Sequence, residues 1–200
     1  MTVIGITGPT GAGKTTVLKV LKELGGCVLD ADAVYHELLE SDLTLRSDLE
    51  ERFGPLTCED GAIDRKKLGA VVFHDPAALA ELNRIAHGRV VAAISERLGQ
   101  AQDLGVRIAA IDAIALFESG AAELCRTTVA VTASEEVRVR RIIAREGISE
   151  EYARARIAAQ KPSEWFEERC GHILRNDGGR DELEERARAL FTSIIPKEDL

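Results

Sequence analysis

Apolar residues fall along this chain in two alternating patterns. Short apolar runs occupy residues 3–7, 27–29, 106–111, 128–131 and 172–174. Runs of that length predict buried β-strands. Between them the apolar positions recur at helical spacing. Val17, Leu18, Leu21 and Leu24 lie on one side of a helix that Gly25 and Gly26 end. Residues 76–98 form a long amphipathic stretch, with Leu79, Leu82, Ile85, Ala86, Val90, Ala93 and Ile94 on its apolar side. Further helix patterns cover 45–53, 135–146, 149–159 and 181–191. Asp64, in the turn-rich "GPLTCEDGAIDRKKL", stands where a cap for the following helix is expected.

Strands alternating with helices over the whole length predict an α/β fold, a parallel five-stranded sheet sandwiched by helices. Residues 41–100 hold no convincing strand and read as a helical insertion at one end of the sheet. Residues 146–170 are polar, rich in Arg and Glu, and read as a mobile flap. The core is then expected from residues 1–40, 101–145 and 171–200.

Composition narrows the function classes. Two hundred residues suffice for one sizeable core with small appended lobes. Aromatics make up only 4%, so the core is built from Ala, Leu, Ile and Val. A net charge of −8 argues against a broad basic surface for nucleic acid or anionic membrane, though not against a local basic pocket. No apolar run approaches bilayer length. The first residues enter a strand pattern with no signal-peptide layout, so a cytoplasmic protein is expected, as a monomer or weak homo-oligomer. Cys27, Cys58, Cys125 and Cys170 form no C-x-x-C pair and match no zinc spacing; free thiols are expected.

The chemistry concentrates in "GITGPTGAGKTTVLKVL". Gly8, Pro9, Thr10, Gly11, Ala12, Gly13, Lys14 and Thr15 satisfy G-x-x-x-x-G-K-[ST] between a strand and a helix. Glycines let backbone amides curl around phosphate oxygens, and the helix start adds its positive end. Lys14 is expected at the β- and γ-phosphates of a nucleoside triphosphate and the Thr15 hydroxyl on Mg²⁺. Asp112 ends the apolar run "VRIAAIDA", at the carboxyl end of a strand, where a Mg²⁺-linked carboxylate is expected; a helix cap is the alternative.

Asp30 and Asp32 follow the second strand. If the backbone stays extended there, both face one crevice beside the loop. Asp32, lying further out, is the candidate base for an attacking hydroxyl, with Asp30 orienting it or interacting with metal. A cap on the helix at Ala33 is the plainer role for Asp32. Arg138, Arg141 and Arg145 share one helix side, either solvated or poised to stabilise charge at the γ-phosphate, and Arg141 and Arg145 are the candidates for the second role. His87 sits at the polar-to-apolar border of the long helix, where a histidine is structural or a ligand-binding group.

Together "GITGPTGAGKTT", "VLDADAVYHEL", "LNRIAHGRV", "IDAIALFESG", "ISEEYARARIAAQ" and "RNDG" resemble, in order and spacing, the dephospho-CoA kinases. The resemblance covers nearly the whole chain, and the Asp-Ala-Asp segment combined with the L-N-x-I-x-H segment is its specific part. It implies a P-loop kinase fold with a nucleotide core, a helical CoA-side region and a lid. The implied activity is transfer of the γ-phosphate of ATP to the ribose 3′-hydroxyl of dephospho-CoA, with Mg²⁺. By that likeness Asp32 is the base and Arg141 the lid arginine. Gly8, Gly11, Ala12, Gly13, Lys14, Thr15, Thr16, Arg145 and Asn176 serve ATP, and Asp30, Asn83, Arg84 and His87 the acceptor. The chain departs from the family at Gly88, where proline is usual, in the Pro-Leu-Leu-Phe-Glu segment, which here begins Ile114-Ala115, at Arg138, where glutamine is usual, and at Cys170 and Gly171. Other readings are a different small-molecule kinase, such as one for a nucleoside monophosphate, and a nucleotide-binding regulator without turnover.

Overall fold

In the computed structural model of the chain, which describes residues 1–56, 63–72 and 74–199, the five apolar runs become five strands. These are β1 (Thr2–Thr7), β2 (Cys27–Asp30), β3 (Ile108–Asp112), β4 (Thr127–Thr132) and β5 (His172–Arg175). All neighbouring pairs are parallel, in the order β2-β3-β1-β4-β5. β3 begins two residues later than its apolar run and extends through Asp112, which pairs in register with Asp30 of β2. Cys58, with the rest of residues 57–62 of the turn-rich loop, lies outside the described residues. Cys27, Cys125 and Cys170 are free thiols.

Alternation along each strand assigns its side chains to two layers. Ile4 and Ile6 of β1 and Ile108 of β3 pack on α1 (Lys14–Glu23) and α9 (Arg180–Ile194) through Val17, Leu21, Ala187 and Phe191. Ala109 and Ile111 face the other way, onto α2 (Ala31–Ser41) and α5 (Pro76–Asp103) through Val34 and Ile94.

Beyond the sheet, α3 (Leu43–Phe53) and α4 (Arg65–Val72) pack on the start of α5 around Leu45, Leu49, Leu68 and Leu82. Asp64 caps α4 as expected, its Oδ1 accepting from the amides of Lys66 and Lys67. α5 is capped by Asp75 and opened by Pro76, and its 28 residues run about 42 Å. Its buried positions repeat every fourth residue from Ala78 to Leu98, so one rod fastens the helical region to the sheet. Gly88 lies inside this rod with open space around it, so the departure from proline leaves the helix unbroken.

α6 (Glu135–Glu146) and α7 (Glu150–Ala158) form a hairpin turned at Gly147, with a small core of Val139, Ile142, Ala153 and Ile157. Residues 146–170, read as a flap, thus carry α7 and the short α8 (Ser163–Glu167). No helix among the described residues is long and apolar enough to cross a membrane.

The rod makes a stability prediction. Ile94 of α5 is fully buried between helix and sheet, so Ile94→Ala should cost about 3 kcal/mol by urea denaturation. Leu104, 84% exposed at the end of the same helix, should tolerate alanine within about 0.5 kcal/mol.

Candidate active site

β1 delivers the glycine-rich loop to the carboxyl edge of the sheet. Gly8 has φ of 136°, and a Cβ there would lie 2.0 Å from the Val131 carbonyl oxygen, so only glycine lets the loop pass β4. Gly13 has φ of 108° and leads into α1, which has no side-chain cap. The amides of Lys14 and Thr15 are therefore left for an anion, while that of Thr16 donates to the Gly13 carbonyl at 3.0 Å. The buried Asn176, just beyond β5, donates from Nδ2 to the Ala12 carbonyl at 2.7 Å. A trans peptide points its carbonyl and its amide in opposite directions, so this bond turns the Gly13 amide inward. A Cβ on Gly13 would sit 2.3 Å from the same Nδ2.

Lys14 donates from Nζ to the Gly8 carbonyl at 3.0 Å, curled back over the loop. Burial lowers its pKa, opposed by the charges of Asp112, Asp32 and Asp30. Three carboxylates thus gather around one ammonium group. They arrive differently from the extended arrangement anticipated in the sequence. α2 starts at Ala31, and Asp30 is its cap, with Oδ1 accepting from the amides of Asp32 and Ala33 at 2.9 and 3.1 Å. Asp32 is therefore not the capping residue: its exposed carboxylate stands in the first helical turn with no hydrogen-bond partner among the described residues. Asp112 is pushed up to about 6, first by burial and then by the charges of Asp30 and Asp32, with Lys14 opposing. Its Oδ1 is buried without a hydrogen-bond partner.

Of the arginines on α6, Arg141 braces the loop. It donates to the carbonyls of Asn176 at 3.0 Å and Gly178 at 3.2 Å, to Asn176 Oδ1 at 3.2 Å, and to the Gly11 carbonyl at 3.5 Å. With its donors so engaged, it supports the loop from behind. Arg145 is exposed and held by Glu146 at 2.5 Å, and its positive charge acts on Lys14. Arg138, by contrast, is buried, and its Nε donates to the Thr10 carbonyl at 2.9 Å. Thr15 is exposed at the helix start and Thr16 half-buried behind it.

A groove of about 410 Å³ opens beside the loop, between α2, α4, α5 and residues 113–115. Leu39, Leu68, Leu82 and Val90 make its walls, and Asp32, Asn83 and His87 are among its polar groups. Burial lowers the His87 pKa, partly offset by the neighbouring Glu118. Arg84 does not join them. One helical step from Asn83, it turns to solvent and pairs with Glu81 at 2.7 Å. Asp30 does not line the groove either. Tyr35, His36 and Arg65 do, without having been singled out in the sequence. His36 follows Asp32 by one helical turn, a spacing signal that was available; Arg65 reaches the groove only through tertiary packing.

An uncapped helix behind a phosphate loop, at the carboxyl edge of a parallel sheet of this order, with a carboxylate facing a neighbouring groove, defines a P-loop kinase. The family model described as dephospho-CoA kinase matches residues 2–182. A dephospho-CoA kinase of Geobacter sulfurreducens is 34% identical over 197 residues, covering 98% of this chain and 100% of that protein. One of Chlorobaculum tepidum is 36% identical, covering 96% and 94%. The crystal structure of a Thermus thermophilus protein matches with a TM-score of 0.78 at 32% identity, covering 98% of both chains. The chain belongs to the dephospho-CoA kinase family.

The electrostatics predict a pH-dependent stability. The folded pKa of Asp112, about 6, lies above its ordinary 3.8, so its ionisation weakens the ligand-free fold as pH rises through that interval. Asp112→Asn should stabilise the ligand-free protein by about 1–2 kcal/mol at pH 7.5, with the gain shrinking toward pH 4, as read by thermal melts.

Proposed function

We propose that this chain transfers the γ-phosphoryl group of ATP to the 3′-hydroxyl of the dephospho-CoA ribose, giving coenzyme A and ADP. One observation carries the reading. Of the three carboxylates whose charges reach Lys14, Asp32 alone lines the groove. It stands where a phosphate chain and an acceptor hydroxyl meet. The loop amides and Lys14 hold the β- and γ-phosphates. Asp32 takes the proton of the 3′-hydroxyl as its oxygen bonds to the γ-phosphorus. The bond from that phosphorus to the bridging oxygen breaks, and ADP leaves. Arg145 adds positive charge beside the γ-phosphate, while Arg141 and Asn176 hold the loop and the nucleotide side in shape.

The apolar walls suit the pantetheine arm of the acceptor, and Asn83 and His87 offer hydrogen-bonding groups to its polar end. Arg84 takes no part in this reading, and Asp30 contributes charge and the α2 cap. Residues 146–170, with α7 and α8, serve as the lid, and the α3–α5 region as the acceptor side. Thr15 and Asp112 are the residues that would hold Mg²⁺, and the partnerless Asp112 Oδ1 fits that task. Among the described residues no cluster of three or more His, Cys, Asp or Glu is set to hold a metal. Nucleotide oxygens and water would therefore supply the remaining ligands, as is usual for Mg²⁺. When bound, the ion neutralises phosphate charge.

Mass-spectrometric detection of coenzyme A from dephospho-CoA, ATP and Mg²⁺ tests the reading. No product from that mixture, with product from a nucleoside monophosphate, would assign a different acceptor. Asp32→Asn should cut turnover by roughly a hundredfold or more while leaving ATP affinity intact. Near-normal turnover would remove Asp32 from the role of base.

A further inference from the structure

Thr10, at the crest of the phosphate loop, has all three of its polar groups tied to residues distant in the chain. Its amide donates to Gln160 Oε1 at 3.0 Å, and its hydroxyl accepts from Gln160 Nε2 at 2.7 Å. Its carbonyl accepts from Arg138 Nε at 2.9 Å, and Arg138 Nη2 reaches Gln160 Oε1 at 3.3 Å. Gln160 lies just past the end of α7 and Arg138 on α6. Arg138 is only 3% exposed. A long cation in such a place is costly to bury unless its donors are used, and here its hydrogen bonds go to two neutral oxygens. Glu135 supplies an opposing charge.

The peptide geometry gives this contact a consequence. The Thr10 carbonyl and the Gly11 amide belong to one rigid plane and point in opposite directions. A donor holding the carbonyl outward therefore aims the amide inward, where it makes no hydrogen bond of its own. Gly11 lies close enough that a Cβ on it would be 3.0 Å from the Arg138 carbonyl oxygen, so loop and helix are in direct contact.

We infer that Arg138, seconded by Gln160, is a positioning residue for the nucleotide phosphates: its Nε holds the Thr10 carbonyl so that the Gly11 amide faces the phosphate site. The inference rests on the reading above that this loop holds ATP. It adds a contact from α6 and the end of α7 that sets the shape of the loop before nucleotide arrives.

The test uses side chains of matched length. In Arg138→Gln the amide nitrogen falls at the same bond position as Nε, so the Thr10 bond survives while the charge is lost. Arg138→Met has similar reach and no donor. Affinity for a non-hydrolysable ATP analogue is measured by calorimetry, with steady-state kinetics and a thermal melt for each variant. Arg138→Met should weaken analogue binding and raise the KM for ATP by about tenfold, the scale of one misdirected charge-assisted hydrogen bond, with the KM for dephospho-CoA unchanged. Arg138→Gln should stay within about threefold of the parent. Parent-like affinity in a folded Arg138→Met, or an equal loss in both variants, overturns the assignment. Should Arg138→Met fail to fold, Gln160→Met must show the same ATP-selective loss, and parent-like binding there overturns it too. A parent protein that binds the analogue but forms no coenzyme A defeats the proposed activity alone, because the affinity comparison still judges Arg138.

Discussion

A cup of inward-facing amides obliges the matching carbonyls to face outward, and those carbonyls need donors. This constraint organises the protein. The carbonyl of Thr10, whose peptide carries the Gly11 amide, is met by Arg138, and that of Ala12, whose peptide carries the Gly13 amide, by Asn176. Arg141 donates to the Gly11 carbonyl beside them. These donors come from α6 and from the turn after β5, which the strand order brings beside β1 by way of β4. The loop is held open from behind by donors more than a hundred residues away.

The second organising feature is a buried charge balance. Lys14 loses solvation and is compensated by three carboxylates from the ends of β2, the first turn of α2 and the end of β3. Burial and carboxylate repulsion push the Asp112 carboxyl up to about 6. Such a site is destabilising without its ligands, and the surrounding apolar layers offset that cost. The same edge carries the groove, because α5 runs without a break from the helical region to the sheet. Asp32 therefore keeps a defined place relative to both.

Much of this was legible in the chain. Short apolar runs marked the strands and apolar positions at helical spacing marked the long helix, because burial on both faces or along one stripe leaves a regular trace. The glycine-lysine motif marked the loop, because few residue types tolerate its backbone. Asp32, Asn83 and His87 were placed together by family likeness, and the structure sets all three on the groove. The extended geometry expected around Asp30 and Asp32 did not hold. An aspartate directly before Ala-Asp-Ala is itself a strong cap, so the helix starts one residue after the strand. Arg84 was carried along by its neighbours, although one step along a helix is a turn of about 100°.

Local pattern, read from the chain alone, thus determined which segments become strands, helices and phosphate loop, since each depends on neighbours within a few residues. It did not determine which α6 arginine braces the loop, that Gln160 meets Thr10, or that Arg65 reaches the groove. Those contacts join residues far apart in sequence. Only the order of the strands and the packing of α4 on α5 and of α6 on α7 bring them within bonding distance.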